Sequence, residues 1–542
     1  MGDTEAATGP EPRAIEGCPR VSTLGERVAN NDAAEGGFGA SETMGQTMGS
    51  RLLEAFPGLS LARLARYTAS PINAKINSHF LGAFGIGVMS QLQMLVGQSS
   101  VLALHSVAEG TVKLISEAQI GDSPEDLRRA RETAGTAFSY ATLLAALSCL
   151  AACLLARPLA RVVFGNADLS LFIVLAAVSF PLVVAGEMLA TILRGLLCFR
   201  SLSISVGLSS LLGLGFVLPL VITLGLKGAC IALVTNGATV LLLNLFLALR
   251  EPAFCRLGLS SLLMLRWNVM RKLAGYVGAT LVAGAVGPVL IVAARSIMVR
   301  NVGLDGLGVY APAIVFGGLL TDIIRTPLST IVLPLLARQP SMASMNEAIN
   351  QGLRFACICV LCVGGSLLAA RHLLVLAIYN GAFLPVTVVM GAQIIGAGLD
   401  VLAGTVGQLY FALPRLKALV VMDLLVKGIF LVLAFLGGSL GLWGVALAYL
   451  GMYAAAFSLT SLYFRLASGF RFSRPFIRTG VAVLATLGFL TALPVSSLMG
   501  VIVAWGVTVG VAWLVTSTEE QKVLVSVAAR FTGLSMLRAR RQ

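Results

Sequence analysis

The sequence predicts an all-α polytopic membrane protein of about fourteen transmembrane helices. Its plan is two pseudo-symmetric six-helix bundles plus a C-terminal helix pair. Three observations lead there. The 542 residues are 57% hydrophobic and only 12% charged, with a mean hydropathy of +0.89, more apolar surface than a soluble protein of this size can bury. Apolar runs of about eighteen residues or more recur along the chain. Three patterns in the first half return in the second, in the same order and at nearly one offset.

Taken in order, the apolar runs place spans at 58–80, 86–116, 133–156, 169–193, 201–224, 229–249, 273–300, 308–337, 353–378, 387–412, 418–437, 442–464, 476–495 and 498–517. The first is polar for a span, "LARLARYTASPINAKINSHF", with three cations and several amides and hydroxyls. Charge placement supports counting it. With the N-terminus cytoplasmic, the inner loops collect most of the arginine, including Arg128, Arg129, Arg131, Arg250, Arg256, Arg266, Arg465, Arg471, Arg474 and Arg478. The outer loops keep only Arg157, Arg161, Lys227, Arg300 and Arg371. That bias puts both termini in the cytoplasm. The net charge of +14 therefore reads as topology signal and lipid headgroup contact rather than nucleic-acid binding.

The repeats divide the chain. "LGAFGIGV" (Leu81–Val88) matches "VGLDGLGV" (Val302–Val309), an offset of 221 from Gly82 to Gly303. "RPLARVVFGNADL" from Arg157 matches "RHLLVLAIYNGAFL" from Arg371, an offset of 214. "GLKGACIAL" from Gly225 matches "GLWGVALAY" from Gly441, an offset of 216. Six spans per half keep both halves in one orientation, related by a pseudo-two-fold axis along the membrane normal with a substrate path between them. The expected organisation is a disordered cytoplasmic tail (1–55), an N-terminal bundle (56–250), a cytoplasmic linker (251–272), a C-terminal bundle (273–466), an added helix pair (467–517) and a basic cytoplasmic tail (518–542). The final residues have the character of a basic amphipathic helix on anionic lipid. The nine cysteines are scattered through apolar runs, and Cys357, Cys359 and Cys362 have no nearby histidine. They read as small core residues rather than metal ligands.

Charges inside the hydrocarbon are the functional candidates, because each costs at least about 2.5–3.5 kcal/mol. "FGGLLTDIIRTPLSTIVLPLL" (Phe316–Leu336) carries Asp322 and Arg325 one turn apart. They form either a buried structural pair or part of a hydrated substrate path. Asp423 and Lys427 are spaced to neutralise each other. Arg295 is close enough to a span end to snorkel. Collectively, Lys75, Lys113, Arg295 and Arg325 are expected to face an interbundle cavity and hold a phosphate or carboxylate. Glu109, Asp322 and Asp400 would balance that charge or titrate in ion coupling.

These residues carry a resemblance. "GVMSQLQMLVG…HSVAEGTVKLISEAQIGDSPEDLRRA", "RPLARVVFGNADL", "GPVLIVAARSIMVRN" and "TPLSTIVLPLLAR" resemble Wzx-type O-antigen and enterobacterial common antigen flippases. That family lies in the multidrug/oligosaccharidyl-lipid/polysaccharide (MOP) exporter superfamily, and the likeness runs from about residue 70 to about 466. It implies a MATE-like fold in a bacterial inner membrane. It also implies alternating-access transfer of an undecaprenyl-pyrophosphate-linked oligosaccharide to the periplasmic leaflet. Lys75, Lys113 and Arg295 fit basic positions of the family's lumen; the Asp322/Arg325 pair maps onto no motif. No cofactor is implied, and the coupling would be to a proton or sodium gradient or to the membrane potential. The implied partners are the lipid-linked glycan, membrane lipids and other polysaccharide-assembly proteins. The added helix pair is similar to that of lipid II flippases, a second reading. A drug exporter of the same fold would favour an acidic cavity. A glycan polymerase or ligase would need a long outer loop, and the longest here is about a dozen residues. No G-x-x-x-x-G-K-[ST] loop is present, which argues against direct ATP use.

Overall fold

In the computed structural model the described residues are 40–104, 107–119, 123–258, 262, 264–337, 339, 341–493 and 497–515. The side chains of 40–68, Glu109 and 272–283 are among those outside the description. The expected tails, 1–55 and 518–542, fall largely outside it; from Ala40 the backbone is helical. Residues 58–542 form one unit, which holds everything below.

Every described element is helical. In the first half these are α1 (Ala40–Leu104), α2 (Ala108–Gln119), α3 (Pro124–Leu154), α4 (Ala156–Val163), α5 (Ser170–Gly195) and α6 (Phe199–Arg250), followed by the short α7 (Pro252–Leu257). In the second they are α8 (Trp267–Ala337), α9 (Met342–Ala369), α10 (Arg371–Ile378), α11 (Val386–Ala412), α12 (Leu416–Leu436) and α13 (Leu442–Ser468). The added pair is α14 (Arg474–Ala492) and α15 (Leu498–Val515). Among the described residues, ten helices are long and apolar enough to cross a membrane. Three of the ten, in α1, α6 and α8, are each folded at one glycine and count twice. With the shorter Leu498–Leu514 the total is the expected fourteen.

The repeat is written in the backbone. Gly82 (φ 65, ψ −169) and Gly303 (φ 74, ψ 173) adopt one conformation. Gly225 (φ 54, ψ −129) and Gly441 (φ 56, ψ −132) share another. Side chains with a Cβ are excluded from these regions, so glycine alone lets one helix turn back into the next without a loop. The third match agrees. Asn166 accepts from the Asp168 amide at 2.9 Å, and Asn380 from the Ala382 amide at 3.0 Å. Each asparagine thus closes the same local turn after a short helix, α4 or α10. All these joins lie at one end of the bundle, here termed the turn end.

Two expected spans end differently. The second is interrupted before α2 begins at Ala108: Val107 is in a turn, its amide donating to the Leu104 carbonyl at 3.0 Å, where "HSVAE" ends the apolar run. The ninth stops at Ala369, because Arg371 turns back into the protein. Its guanidinium, buried among apolar helices, donates to the Leu368, Leu490, Thr491 and Leu493 carbonyls. The last three close the C-terminal end of α14, so Arg371 caps that helix and ties the added pair to the second half. Missing side chains assist the docking. A Cβ on Gly365 would lie 2.5 Å from Thr508, and one on Gly391 2.1 Å from Thr491. Trp505 of α15 donates to Ser366 Oγ at 2.9 Å. Without a hydrophobic drive between helices in lipid, such close approach and polar contacts are what hold them.

Arg371→Leu should leave those carbonyls unsatisfied, at a cost of about 1–3 kcal/mol for each one left buried. The purified protein should melt several degrees lower, and protease should cut between α13 and α14 sooner. An unchanged melting profile would remove the clamp from this account.

Candidate functional site: the cleft between the halves

The halves touch at the turn end through two glycines. A Cβ on Gly87 would sit 2.0 Å from the Leu304 carbonyl oxygen, and one on Gly308 1.9 Å from the Ala83 carbonyl oxygen. Each contact is the other shifted by 221 residues, the offset of Gly82 to Gly303. The pair is therefore reciprocal about the pseudo-two-fold axis, which passes between the starts of the second and eighth spans.

Charged groups complete this seal. Lys75 Nζ, in the first half, donates to the Leu376 carbonyl at 3.1 Å and to the Tyr379 carbonyl. Those carbonyls close α10, whose dipole presents its negative end there. Asn380 Nδ2 crosses the other way to the Ser78 carbonyl at 3.1 Å. Arg295 Nη2 donates to Ser90 Oγ at 2.6 Å, again across the halves. Arg295 is 8% exposed, so it does not snorkel as its position near a span end suggests. Its Nε is buried with no hydrogen-bond partner among the described residues, which leaves one donor of a desolvated cation unused.

Further from the turn end, Arg325 Nη1 meets Asp400 Oδ2 at 3.1 Å. The pair joins α8 to α11, and Gly404 makes room for it: a Cβ there would lie 2.8 Å from Arg325 Nε. The alternative of an Asp322–Arg325 pair is thereby corrected, since Arg325 reaches across to the neighbouring helix while Asp322 is exposed. Asp423 and Lys427 neutralise each other at 2.6 Å, as their spacing predicts.

The four expected cations do not form one cluster. Lys75 and Arg295 share the seal. Arg325 belongs to the second half's own pair. Lys113 lies beyond the break in the second span, on α2, 3.8 Å from Glu117 with both side chains more than half exposed. The Glu109 side chain lies outside the described residues.

A second feature sits inside the first half. A cavity of about 210 Å³ opens between its first, second, fifth and sixth spans, with Asn73, Asn77, Gln93 and Asn236 among its lining. The amides in "TASPINAKINSHF" signal it in the sequence, but its walls come from helices far apart in the chain.

Residues 125–388 match the family described as polysaccharide biosynthesis protein. The lipid III flippase of Escherichia coli (strain K12) is 23% identical over 419 residues, covering 74% of this chain and 97% of that protein. Among solved structures, lipid II flippase MurJ in an inward closed conformation superposes with a TM-score of 0.66 at 14% identity, over 87% of this chain and 100% of that one. An inward-facing multidrug resistance MATE transporter of the MOP superfamily gives 0.60 at 13% identity, over 76% and 98%. The fold is that of the MOP transporters. The flippase resemblance found in the motifs is thus borne out, and the two-bundle fold with it.

The Arg325–Asp400 pair makes a sharp prediction. Its side chains are 50% and 22% exposed, so the coupling should be modest, about 1 kcal/mol. Arg325→Leu leaves the less exposed carboxylate unpaired and should lower the melting temperature more than the Arg325→Leu/Asp400→Leu double variant does. A double variant less stable than both single variants would exclude the pairing.

Proposed function

We infer that this protein is a flippase of the MOP superfamily that carries a polyprenyl-pyrophosphate-linked oligosaccharide across a bacterial inner membrane. The observation that carries the reading is the placement of Lys75 and Arg295 on the surface where the two halves meet. Alternating access requires that surface to part. When it parts, Lys75 leaves the α10 carbonyls and Arg295 leaves Ser90. Two cations, one from each half, then face the path. A pyrophosphate replaces the lost contacts with charge-assisted hydrogen bonds, bidentate at Arg295. The same residues thus latch the seal without substrate and hold the anion with it.

Each substrate part has its own requirement. The pyrophosphate is too costly to pass through hydrocarbon and takes the hydrated cleft. The polyprenyl tail stays in lipid at the edge of the bundle. The positive-inside pattern supports both termini in the cytoplasm and the turn end on the periplasmic side. The seal then closes the outer side, and substrate enters from the inner leaflet. A proton or sodium gradient, or the membrane potential, drives the cycle, with Asp322 and Asp400 as candidate carboxylates for the coupling. Lys113, on α2, acts at the entrance.

The added helix pair, clamped by Arg371, supports lipid II as a second substrate reading, since the likeness to MurJ spans the whole of that chain. Both substrates share the polyprenyl pyrophosphate.

Deletion of the gene should cause a lipid-linked glycan to accumulate on the cytoplasmic face, with loss of the corresponding surface polymer. Arg295→Ala should reach the membrane at normal level and fail to restore export. Accumulated lipid II with cell lysis would select the second reading. Normal surface glycan with new sensitivity to cationic drugs would overturn both. The latch has its own test in a cysteine-free background. Gly308→Leu should expose Ser90→Cys to an impermeant maleimide from the periplasmic side at least about tenfold faster than the same cysteine beside Gly308. Equal labelling rates would exclude the seal.

A further inference from the structure

The pseudo-symmetry makes each half a control for the other. Applying the offset of 221 to the first span, Asn73 corresponds to Ala294 and Asn77 to Met298. In the second span Gln93 corresponds to Ile314. With the offset of 216 for the sixth span, Asn236 corresponds to Met452. Each amide lining the cavity of the first half thus has an apolar partner in the second. Ala294 and Met298 are fully packed, 0% and 1% exposed.

The volumes differ in the same way. Met89 and Leu233 line the cavity, and their equivalents are Tyr310 and Tyr449. Those two rings stack 5.9 Å apart, and Phe430 packs on Tyr449 at 4.9 Å. The second half therefore fills with aromatic rings the space that the first half leaves open. The fold does not demand a cavity here, nor amides in its wall.

The amides are also poorly occupied. Asn77 Nδ2 donates to Asn73 Oδ1 at 3.0 Å, while Asn77 Oδ1 is buried without a partner among the described residues. Asn236 is exposed although it lies eleven residues past the Gly225 turn, about 16 Å deep along its helix. An amide at that depth is too costly to face lipid. Gly213 keeps it clear, since a Cβ there would lie 2.8 Å from Asn236 Oδ1. A volume of 210 Å³ is far above the roughly 10–15 Å³ that one water needs. Among the described residues the lining has hydrogen-bond donors and acceptors in plenty and no charged side chain. An anion finds no countercharge among those residues, and a bare cation finds too much room.

We propose that the amide-lined cavity of the first half is the glycan site of the flippase, and that it takes a neutral pyranose ring by its hydroxyl or acetamido groups. This rests on the flippase reading and deepens it. The interhalf cations hold the pyrophosphate; Asn73, Asn77, Gln93 and Asn236 hold the sugar attached to it. Amides suit the task because each offers both donors and acceptors. A site built to hydrogen-bond hydroxyls also rejects a headgroup that lacks them.

The test uses the full chain in nanodiscs with two kinds of probe. One is farnesyl pyrophosphate; the other is a panel of farnesyl-pyrophosphoryl glucose, galactose and N-acetylglucosamine. The wild type should bind at least one sugar-bearing probe about tenfold or more tighter than the bare pyrophosphate. Asn73→Leu/Asn236→Leu should erase that gain and leave the affinity for farnesyl pyrophosphate unchanged. Leu233→Tyr, which copies the filled second half without touching an amide, should do the same, so a folding defect in one variant does not decide the matter. A gain retained in both variants, or absent from the wild type while farnesyl pyrophosphate binds, overturns the glycan site and leaves the flippase reading standing. Failure of the wild type to bind any of these probes overturns both. Variants that lose sodium dependence while keeping the sugar gain assign the cavity to a cation and overturn the proposal.

Discussion

The contact on which the rest depends is the approach of backbone to backbone at Gly87 and Gly308. Each α-carbon lies against a carbonyl of the opposite half, with no room for a methyl group. Two helices cannot come so close with side chains between them. The contact sets where the pseudo-two-fold axis runs and which faces of the second and eighth spans meet. It also brings Ser90 within reach of Arg295, and Ser78 within reach of Asn380. Being small and polar, it can part again, which a large interlocked apolar interface could not do without a heavy loss of packing.

Around that contact the halves keep one backbone and use different chemistry. Gly82 and Gly303 turn identically, as do Gly225 and Gly441, and Asn166 and Asn380 close the same turn. The side chains diverge. Arg371 is buried and caps α14, whereas its equivalent Arg157 is exposed. The second half holds an aromatic stack where the first holds an amide-lined cavity. Packing terms are local, so one half can exchange rings for amides without disturbing the turns that set its helices.

Charge in the hydrocarbon is handled in three ways. Asp423 and Lys427 cancel within one helix, a turn apart. Arg325 and Asp400 cancel between helices, over a glycine that leaves the space. Among the described residues, Lys75 and Arg295 meet only neutral acceptors, backbone carbonyls and a hydroxyl. A cation satisfied only by neutral groups gains more from an anion than one already paired with a carboxylate. That difference separates the seal cations from the structural pairs.

Most of the architecture was legible in the sequence because the bilayer imposes it. Length and apolarity mark each span, arginine marks the loops on one side, and the positive-φ glycines recur at one offset. Asp423 and Lys427 were legible for a similar reason: a fixed helical spacing settles their contact. The partner of Arg325 was not, because a long side chain chooses among neighbouring helices, and only their packing decides which carboxylate is in reach. The same holds for the turn at Val107, for the inward turn of Arg371 and for Arg295, which lies near a span end yet turns into the seal. The cavity was hidden for the strongest reason. Its wall is four amides on three spans, and its existence depends on rings that are missing. The sequence by itself determined how many helices there are and that the halves repeat, since these follow from solvent and chain geometry. Which charges meet and where space is left open were decided by tertiary packing alone.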